Sequence, residues 1–396
     1  MFYLDRKEML FYLILALFIL VLLWFYLSIQ RHPQPPLFSH IFWLYPSPRP
    51  FLKTVRILCP WGSPGLYRDA ELYSFVLGPS SYIVYVDPTL SLARNELNRR
   101  TDINLCLERT NFLRHFPSLE NWLMVNQEFF PPLRQVQSID LFICKSLYAS
   151  RKVETLCKKH GLKGRVYYTR HSSDDLLLRS MTLPINSSLE KDELLFVHFA
   201  GKSPQKQTRV VIETFLQPAF SHTKLVVTCH DICYEMLSDL LQDLSLPPRI
   251  QIFSSLDSLS LLYYQRRARF HVCPSSTEGY GHYINEGRSV GGIIITLDAP
   301  PMNELVSSDN GILIPPRSIV NSRYVTGPSI PFLLVENPVE SEAFLISSED
   351  LSLAIHKALN LPPEKREEMS RRSRERYLED RNFFIEKIQA LFSPET

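Results

Sequence analysis

The chain has 396 residues, 45% of them hydrophobic and 21% charged, with a formal net charge of +2. That length suits two folded domains beyond any anchor, and a charge so near zero gives no electrostatic case for nucleic acid as a partner. The seven cysteines are odd in number and scattered, so they form no disulfide framework.

Residues 1–9 mix both charge signs, and Leu10 to Ile29 is then an uncharged run of 20 residues. At about 1.5 Å per residue it spans about 30 Å, the thickness of a hydrocarbon core. Tyr12, Trp24 and Tyr26 sit toward its ends, where amphipathic rings prefer to lie. A cleavable signal peptide has a shorter core and a small-x-small cleavage site, so residues 1–30 are expected to be an uncleaved, single-pass transmembrane anchor. Arg6 and Lys7 before the run, against Arg31 after it, lean slightly toward an N-terminus inside. Residues 31–50 carry Pro33, Pro35, Pro36, Pro46, Pro48 and Pro50, an extended and stiff linker.

Residues 51–182 read as a first α/β domain. Val55–Cys59 is a strand, Gly62-Ser63-Pro64-Gly65 a turn, Leu66–Leu77 a helix and Tyr82–Val86 a strand. Asn104–Leu107, Trp122–Val125 and Leu141–Cys144 are short apolar runs between polar turns, followed by a helix from Tyr148 to His160 and a strand Arg165–Tyr168. Strands alternating with helices argue a parallel sheet. The turn Asn126-Gln127-Glu128 follows a strand at its carboxyl end, where ligands gather in such sheets. His171-Ser172-Ser173-Asp174 follows the domain's last strand, near the hinge. Residues 181–190 form an interdomain linker. Within it, Asn186-Ser187-Ser188 is a glycosylation sequon, usable only on a lumenal side.

Residues 190–346 read as a second domain. Strand Leu194–Phe199 leads into a loop holding Lys202 and Lys206, then a helix Arg209–Leu216. Leu225–Thr228, Ile250–Phe253 and Phe270–Cys273 are further strands, with helices Tyr234–Leu244 and Ser255–Gln265 between them. Cys229-His230-Asp231-Ile232-Cys233 invites a metal reading but lacks a second ligand pair at suitable spacing, so no metal site is expected. In 347–396 two helices follow, Ser348–Leu359 and Pro363–Phe392. The second is rich in arginine and glutamate, which reads as a solvated face.

The stretch from Arg269 to Pro316 is the most informative. A strand ends at Cys273, Pro274-Ser275-Ser276-Thr277 cannot continue it, and Gly279 and Gly281 permit close backbone approach. A helix begins near Tyr280 to His282 and stops before Gly291-Gly292. Strand Ile293–Leu297, a turn at Asn303-Glu304 and a strand Gly311–Ile314 come next. Glu278 then lies in a loop and Glu286 one to two turns into the helix, so their carboxylates can reach opposite ends of an extended ligand. Free amides at the helix start suit a phosphate between them.

Glu278-Gly279-Tyr280-Gly281, Glu286, Gly292-Ile293-Ile294-Ile295-Thr296, Asn303-Glu304-Leu305-Val306 and Asn310-Gly311-Ile312-Leu313 together resemble the donor-site core of retaining glycosyltransferases of the GT-B fold, family 4 type. Two departures stand out. Gly287-Arg288 replaces the usual Ala-Met or Ala-Leu, and Pro300-Pro301-Met302-Asn303 stands where a Gly-Gly turn is typical. The resemblance implies two Rossmann-like domains facing across a cleft, with the last helix crossing back to the first domain. It implies that Lys202 and Lys206 neutralise a departing diphosphate without a metal. Amides of Gly279, Tyr280 and Gly281 would hold the distal phosphate or sugar, with Glu278 orienting sugar hydroxyls and stabilising positive charge at the anomeric carbon. Glu286 would bind ribose hydroxyls. Gly62 and Ser63 occupy the loop that faces the donor diphosphate in this family, and Glu128 and His171 are candidates for contact with the sugar or acceptor. An ordinary β–α turn or solvated loop would use the same residues.

The implied reaction is sugar transfer from a nucleotide-diphosphate sugar to a glycan, lipid-linked or protein acceptor with retention. No cofactor beyond that donor is implied. A GT-B sugar-nucleotide hydrolase or phosphorylase, or a non-catalytic membrane-tethered sugar-nucleotide-binding protein, is the alternative. The expected location is a membrane, endomembrane such as ER or Golgi if the chain is eukaryotic. The side on which the catalytic body lies stays open.

Overall fold

The computed structural model describes residues 53–181, 189–230, 232–235, 237, 246–321 and 338–392. The expected anchor, the proline-rich linker, the sequon and most of the expected helix Tyr234–Leu244 lie outside these residues. Among the described residues no helix is long and apolar enough to cross a membrane.

The first domain is a parallel sheet of six strands: β1 (Val55–Pro60), β2 (Ser81–Val86), β3 (Thr101–Leu107), β4 (Ser118–Val125), β5 (Leu141–Cys144) and β6 (Arg165–Tyr168), in the order β2-β1-β3-β4-β5-β6. The second is also parallel: β7 (Asp192–Gly201), β8 (Lys224–Cys229), β9 (Ile250–Phe253), β10 (Ala268–Cys273), β11 (Ile293–Leu297) and β12 (Gly311–Ile314), in the order β12-β11-β10-β7-β8-β9. Strands such as β1, β10 and β11 are buried throughout. Helices cover both faces of a parallel sheet, which is why these strands read as continuous apolar runs rather than alternating ones.

The connecting helices that matter for the site are α1 (Pro64–Leu77), α2 (Leu147–His160), α3 (Thr208–Leu216), α4 (Ser258–Arg267), α5 (His282–Ser289), the one-turn α6 (Met302–Leu305), α7 (Ser348–Leu359) and α8 (Pro363–Ala390). Three differences from the sequence reading have clear causes. Helix α1 begins at Pro64 rather than Leu66, because proline has no amide to satisfy and is preset for a first helical turn. The expected turn at Asn303-Glu304 is the helical turn α6. The arginines of α8 are not all solvated. Arg374 forks onto both oxygens of Asp175 at 2.7 and 2.9 Å, and Arg366 reaches Glu193 at 2.9 Å, while Arg371 pairs along the exposed face with Glu375 at 2.5 Å.

Helix α8 joins the two domains. Its Met369 belongs to the apolar core of the second domain, and its Phe384 and Ile388 to a core of the first. Phe384 packs on Tyr73 and His171, with ring centroids 5.4 and 4.9 Å away.

The topology locates a site. In the first sheet the chain leaves β1 for one neighbour, β2, and returns to the other, β3. In the second, β7 lies between β8 and β10 in the same way. Ligands in open parallel sheets bind at such switch points, beyond the carboxyl ends of the strands. The loops concerned are Trp61–Ser63 after β1, Lys202–Gln207 after β7 and Pro274–Gly281 after β10.

Candidate active site between the two domains

The loop after β10 is held from below. Ser276 bonds Gln205 carbonyl through its amide at 2.8 Å and its hydroxyl at 3.0 Å, fixing this loop against the one after β7. Ser275 Oγ lies 2.5 Å from Glu278 Oε1 and 2.5 Å from Tyr283 Oη. Lys206 forms an ion pair with the same Glu278 oxygen, and its ammonium sits 3.6 Å from the centre of the Tyr283 ring. Both charges are buried, Glu278 at 7% and Lys206 at 8% exposure, so each depends on the other.

The first domain closes on this loop. Gln127 Nε2 donates to the Glu278 carbonyl. A side chain on Gly279 would meet Asn126 and would come within 2.8 Å of Glu128 Oε1. Glycine is required there because another domain's loop arrives against the backbone. Glu128 is half-buried, and burial, reinforced by the charge of Glu278, pushes its carboxyl up to about 8. Behind it, Asn126 Nδ2 donates to Glu108 at 2.7 Å, and burial raises the Glu108 carboxyl too.

Glu286 projects from α5, buried to 6% exposure. Its Oε1 accepts from Arg68 of α1, and its Oε2 from Gln265 of α4 at 3.2 Å. Beside Arg68, burial and the charge of Asp174 raise Glu71 to about 7.

A second cluster lies under the loop. Asp69 Oδ1 accepts from His171 Nε2 at 2.5 Å and from His282 Nε2 at 3.0 Å, and Lys145 is 3.6 Å from Oδ2. His282 Nδ1 lies 2.8 Å from Ser173 Oγ, and Tyr280 Oη donates to the His171 carbonyl at 2.6 Å. Burial alone would raise the Asp69 carboxyl, but Lys145, His282 and His171 hold it well below the usual range. Burial takes His171 down to about 4 against the pull of Asp69, so its ring is neutral at pH 7. The donor atoms of Asp69, His171 and His282 lie within 4.8 Å of one another, close enough to hold a metal ion. Within the group Asp69 binds both histidines and Lys145 balances its carboxylate, while His171 Nδ1 has no hydrogen-bond partner among the described residues.

The structure therefore brings Glu278, Lys206, Glu128 and Gly279 together, with Tyr280 and Gly281 leading into α5 and its Glu286. Lys202 stands on the same loop as Lys206 but is exposed. Gly62 is exposed and left-handed at φ 83°, its amide bonded to Tyr67 Oη at 2.5 Å, and Ser63 is half-buried at the start of α1. His171, the other candidate for sugar or acceptor contact, is enclosed. At 0% exposure it is packed between Tyr73, Tyr280 and Phe384, with its ring bonded to Asp69 and its carbonyl to Tyr280.

Arg68, Asp69, Lys145 and His282 were missed by the sequence reading. Asp69 carried a signal: it is an acid on the apolar stripe of α1, among Leu66, Tyr67, Ala70 and Tyr73. Lys145 directly follows the wholly buried β5, and His282 directly follows the glycine loop.

The departures around the second glutamate are matters of packing. A Cβ on Gly287 would come 2.8 Å from His271 Nδ1 and 2.7 Å from Ile294 Cδ1, so the bulk of His271 excludes alanine. Arg288 is buried and bonds Asn285 Oδ1 at 2.5 Å and Asp380 of α8 at 2.7 Å. A cavity of about 160 Å³ behind Tyr280 is walled in part by Lys145, Arg170, Arg288, Glu304 and Asp380, and Asp380 there pairs with both arginines.

No protein-family model matches the chain, and no curated protein matches it in sequence. Solved structures do match in fold. A glycosyltransferase from Rickettsia africae ESF-5 aligns at a TM-score of 0.58 and 12% identity, over 88% of this chain and 98% of that one. Anabaena HepE, in complex with UDP and glucose, aligns at 0.55 and 12%, over 86% and 98%. The sucrose-phosphate synthase of Thermosynechococcus elongatus aligns at 0.56 and 12%, over 86% and 95%. At such identities the likeness establishes the fold: two parallel α/β domains in the GT-B arrangement of these proteins.

Proposed function

We propose that the chain is a glycosyltransferase that moves a sugar from a nucleoside-diphosphate sugar to an acceptor hydroxyl with retention of configuration. The observation that carries this is the buried Lys206–Glu278 pair. It joins the loop after β7 to the glycine loop after β10 at the switch point of the second sheet, opposite Glu128 of the first domain. The UDP and glucose in the HepE complex support the same assignment.

In this reading Lys206 turns from Glu278 to the diphosphate as the bond from the anomeric carbon to phosphate breaks, with Lys202 and the amides before α5 balancing the remaining charge. Glu278, released, faces the positive charge that develops on the sugar. The acceptor hydroxyl forms its bond on the same face, and its proton goes to the departing phosphate oxygen. Glu128, protonated at neutral pH, donates a hydrogen bond to a sugar or acceptor hydroxyl. Glu286 takes the ribose hydroxyls. The run Leu10–Ile29 supports an enzyme held at a membrane, acting on a glycan, lipid-linked or protein acceptor.

The test is thermal unfolding of the purified protein with a panel of nucleotide sugars. One donor should raise the melting temperature, and Glu286→Ala should abolish the rise. A folded protein indifferent to every donor would overturn the proposal.

A further inference from the structure

Both oxygens of Glu286 are engaged. Its Oε1 holds Arg68, and its Oε2 holds Gln265 at 3.2 Å. A ribose diol bound by this carboxylate competes with them for its remaining lone pairs, and in so buried a place it crowds one of them aside. Gln265 is buried at 3% exposure and belongs to the same domain as Glu286. Arg68 comes from the other domain, and its side chain is 40% exposed. Arg68 is the partner that can leave, since its guanidinium keeps water around it when it moves.

What it moves toward follows from its position. Arg68 lies in the first part of α1, which begins directly after the Gly62-Ser63 loop at the switch point of the first sheet. That end of the helix carries unpaired amides and a partial positive charge. A guanidinium released there faces the space where the two sets of loops meet, and its fork of donors matches phosphate oxygens. Its departure does not strip the neighbouring acids of all countercharge, because Arg179 still pairs with Asp174 at 3.2 Å.

We infer that Arg68 is an interdomain clasp that occupies the ribose-binding carboxylate in the empty protein and passes to the diphosphate of a bound nucleotide. The inference rests on the reading of Glu286 as the ribose ligand, and it adds a first-domain arginine to the diphosphate site. Binding the ribose alone weakens the clasp, whereas binding the diphosphate recovers a charge-assisted bond. The protein should therefore discriminate strongly between a nucleoside and its diphosphate, and Arg68 should be the source of much of that difference.

The experiment is calorimetric titration of the full-length protein with uridine and UDP, and with guanosine and GDP, in wild type, Arg68→Ala and Arg68→Lys. For the base that binds, Arg68→Ala should bind the nucleoside as tightly as wild type or more tightly. It should lose about tenfold or more in affinity for the diphosphate, the scale of one hydrogen bond to a charged group. Arg68→Lys, which keeps the charge, should retain most of the preference. Equal weakening of nucleoside and diphosphate, or an unchanged ratio between them, would overturn the clasp while leaving the nucleotide site in place. Failure of the wild type to bind either diphosphate would overturn both the clasp and the donor site beneath it.

Discussion

Lys206 and Glu278 show how one contact serves stability and chemistry together. With both charges buried, Lys206→Ala leaves a carboxylate without its partner, which costs about 3–5 kcal/mol for a pair of this kind. Urea unfolding should show that loss, and adding Glu278→Gln should recover part of it. Lys202→Ala, at an exposed position, should change unfolding by no more than about 1 kcal/mol and slow turnover by about 2.7–4 kcal/mol of barrier, the scale of one lost electrostatic donor. Glu128 has the opposite sign of pH dependence from most acids. Its folded value of about 8 lies above the ordinary carboxylate range, so between the two the folded protein holds a proton that the unfolded chain has lost. The stability it contributes is complete below the unfolded value and is lost as pH rises through about 8. The melting temperature of Glu128→Gln relative to wild type should therefore climb between about pH 5 and pH 8.5. A constant difference would mean that Glu128 is charged throughout.

At the scale of elements, the glycine loop depends on what arrives against it. Gly279→Ala pushes against Asn126 and Glu128, a cost of about 1–3 kcal/mol for overpacking, and it should spoil the approach of the first-domain loop. Its mark would be a larger loss of donor-induced thermal stabilisation than of stability itself. Strand β11 and the extent of α5 were legible in the sequence, because an isoleucine run and a pair of stop glycines fix them locally. The role of α6 was not. Its Glu304 accepts from the Leu147 and Tyr148 amides at 2.7 and 2.8 Å, and so caps α2 of the other domain. No local pattern announces a cap supplied from more than a hundred residues away. For the same reason the sequence offered His171 only as a loop residue and a candidate for sugar or acceptor contact. Only the folded chain brings Asp69 and His282 to it.

At the scale of the molecule, the two domains meet through named bonds: Arg68 to Glu286, His282 to Asp69, Gln127 to the Glu278 carbonyl and Tyr280 to the His171 carbonyl. Helix α8 ties them from behind. Phe384→Ala opens a cavity in the first domain's core at the point where α8 docks, and should cost about 3–5 kcal/mol. The readout is a thermal unfolding transition that moves down and loses its single cooperative step. The parallel sheets could be foreseen from alternating strands and helices. The strand order that puts β1 and β7 at switch points could not, since it depends on which neighbours each strand finds.

Sugar transfer at the Glu278 loop is read out by turnover. The purified protein would be given the nucleotide sugar that stabilises it, with and without simple alkyl glycosides as acceptors, and release of nucleoside diphosphate would be followed beside the Glu278→Gln variant. Release that depends on acceptor and falls at least a hundredfold in the variant, the scale of lost electrostatic stabilisation, is the predicted result. No release from any donor by a folded protein, or release that Glu278→Gln leaves unchanged, would contradict it.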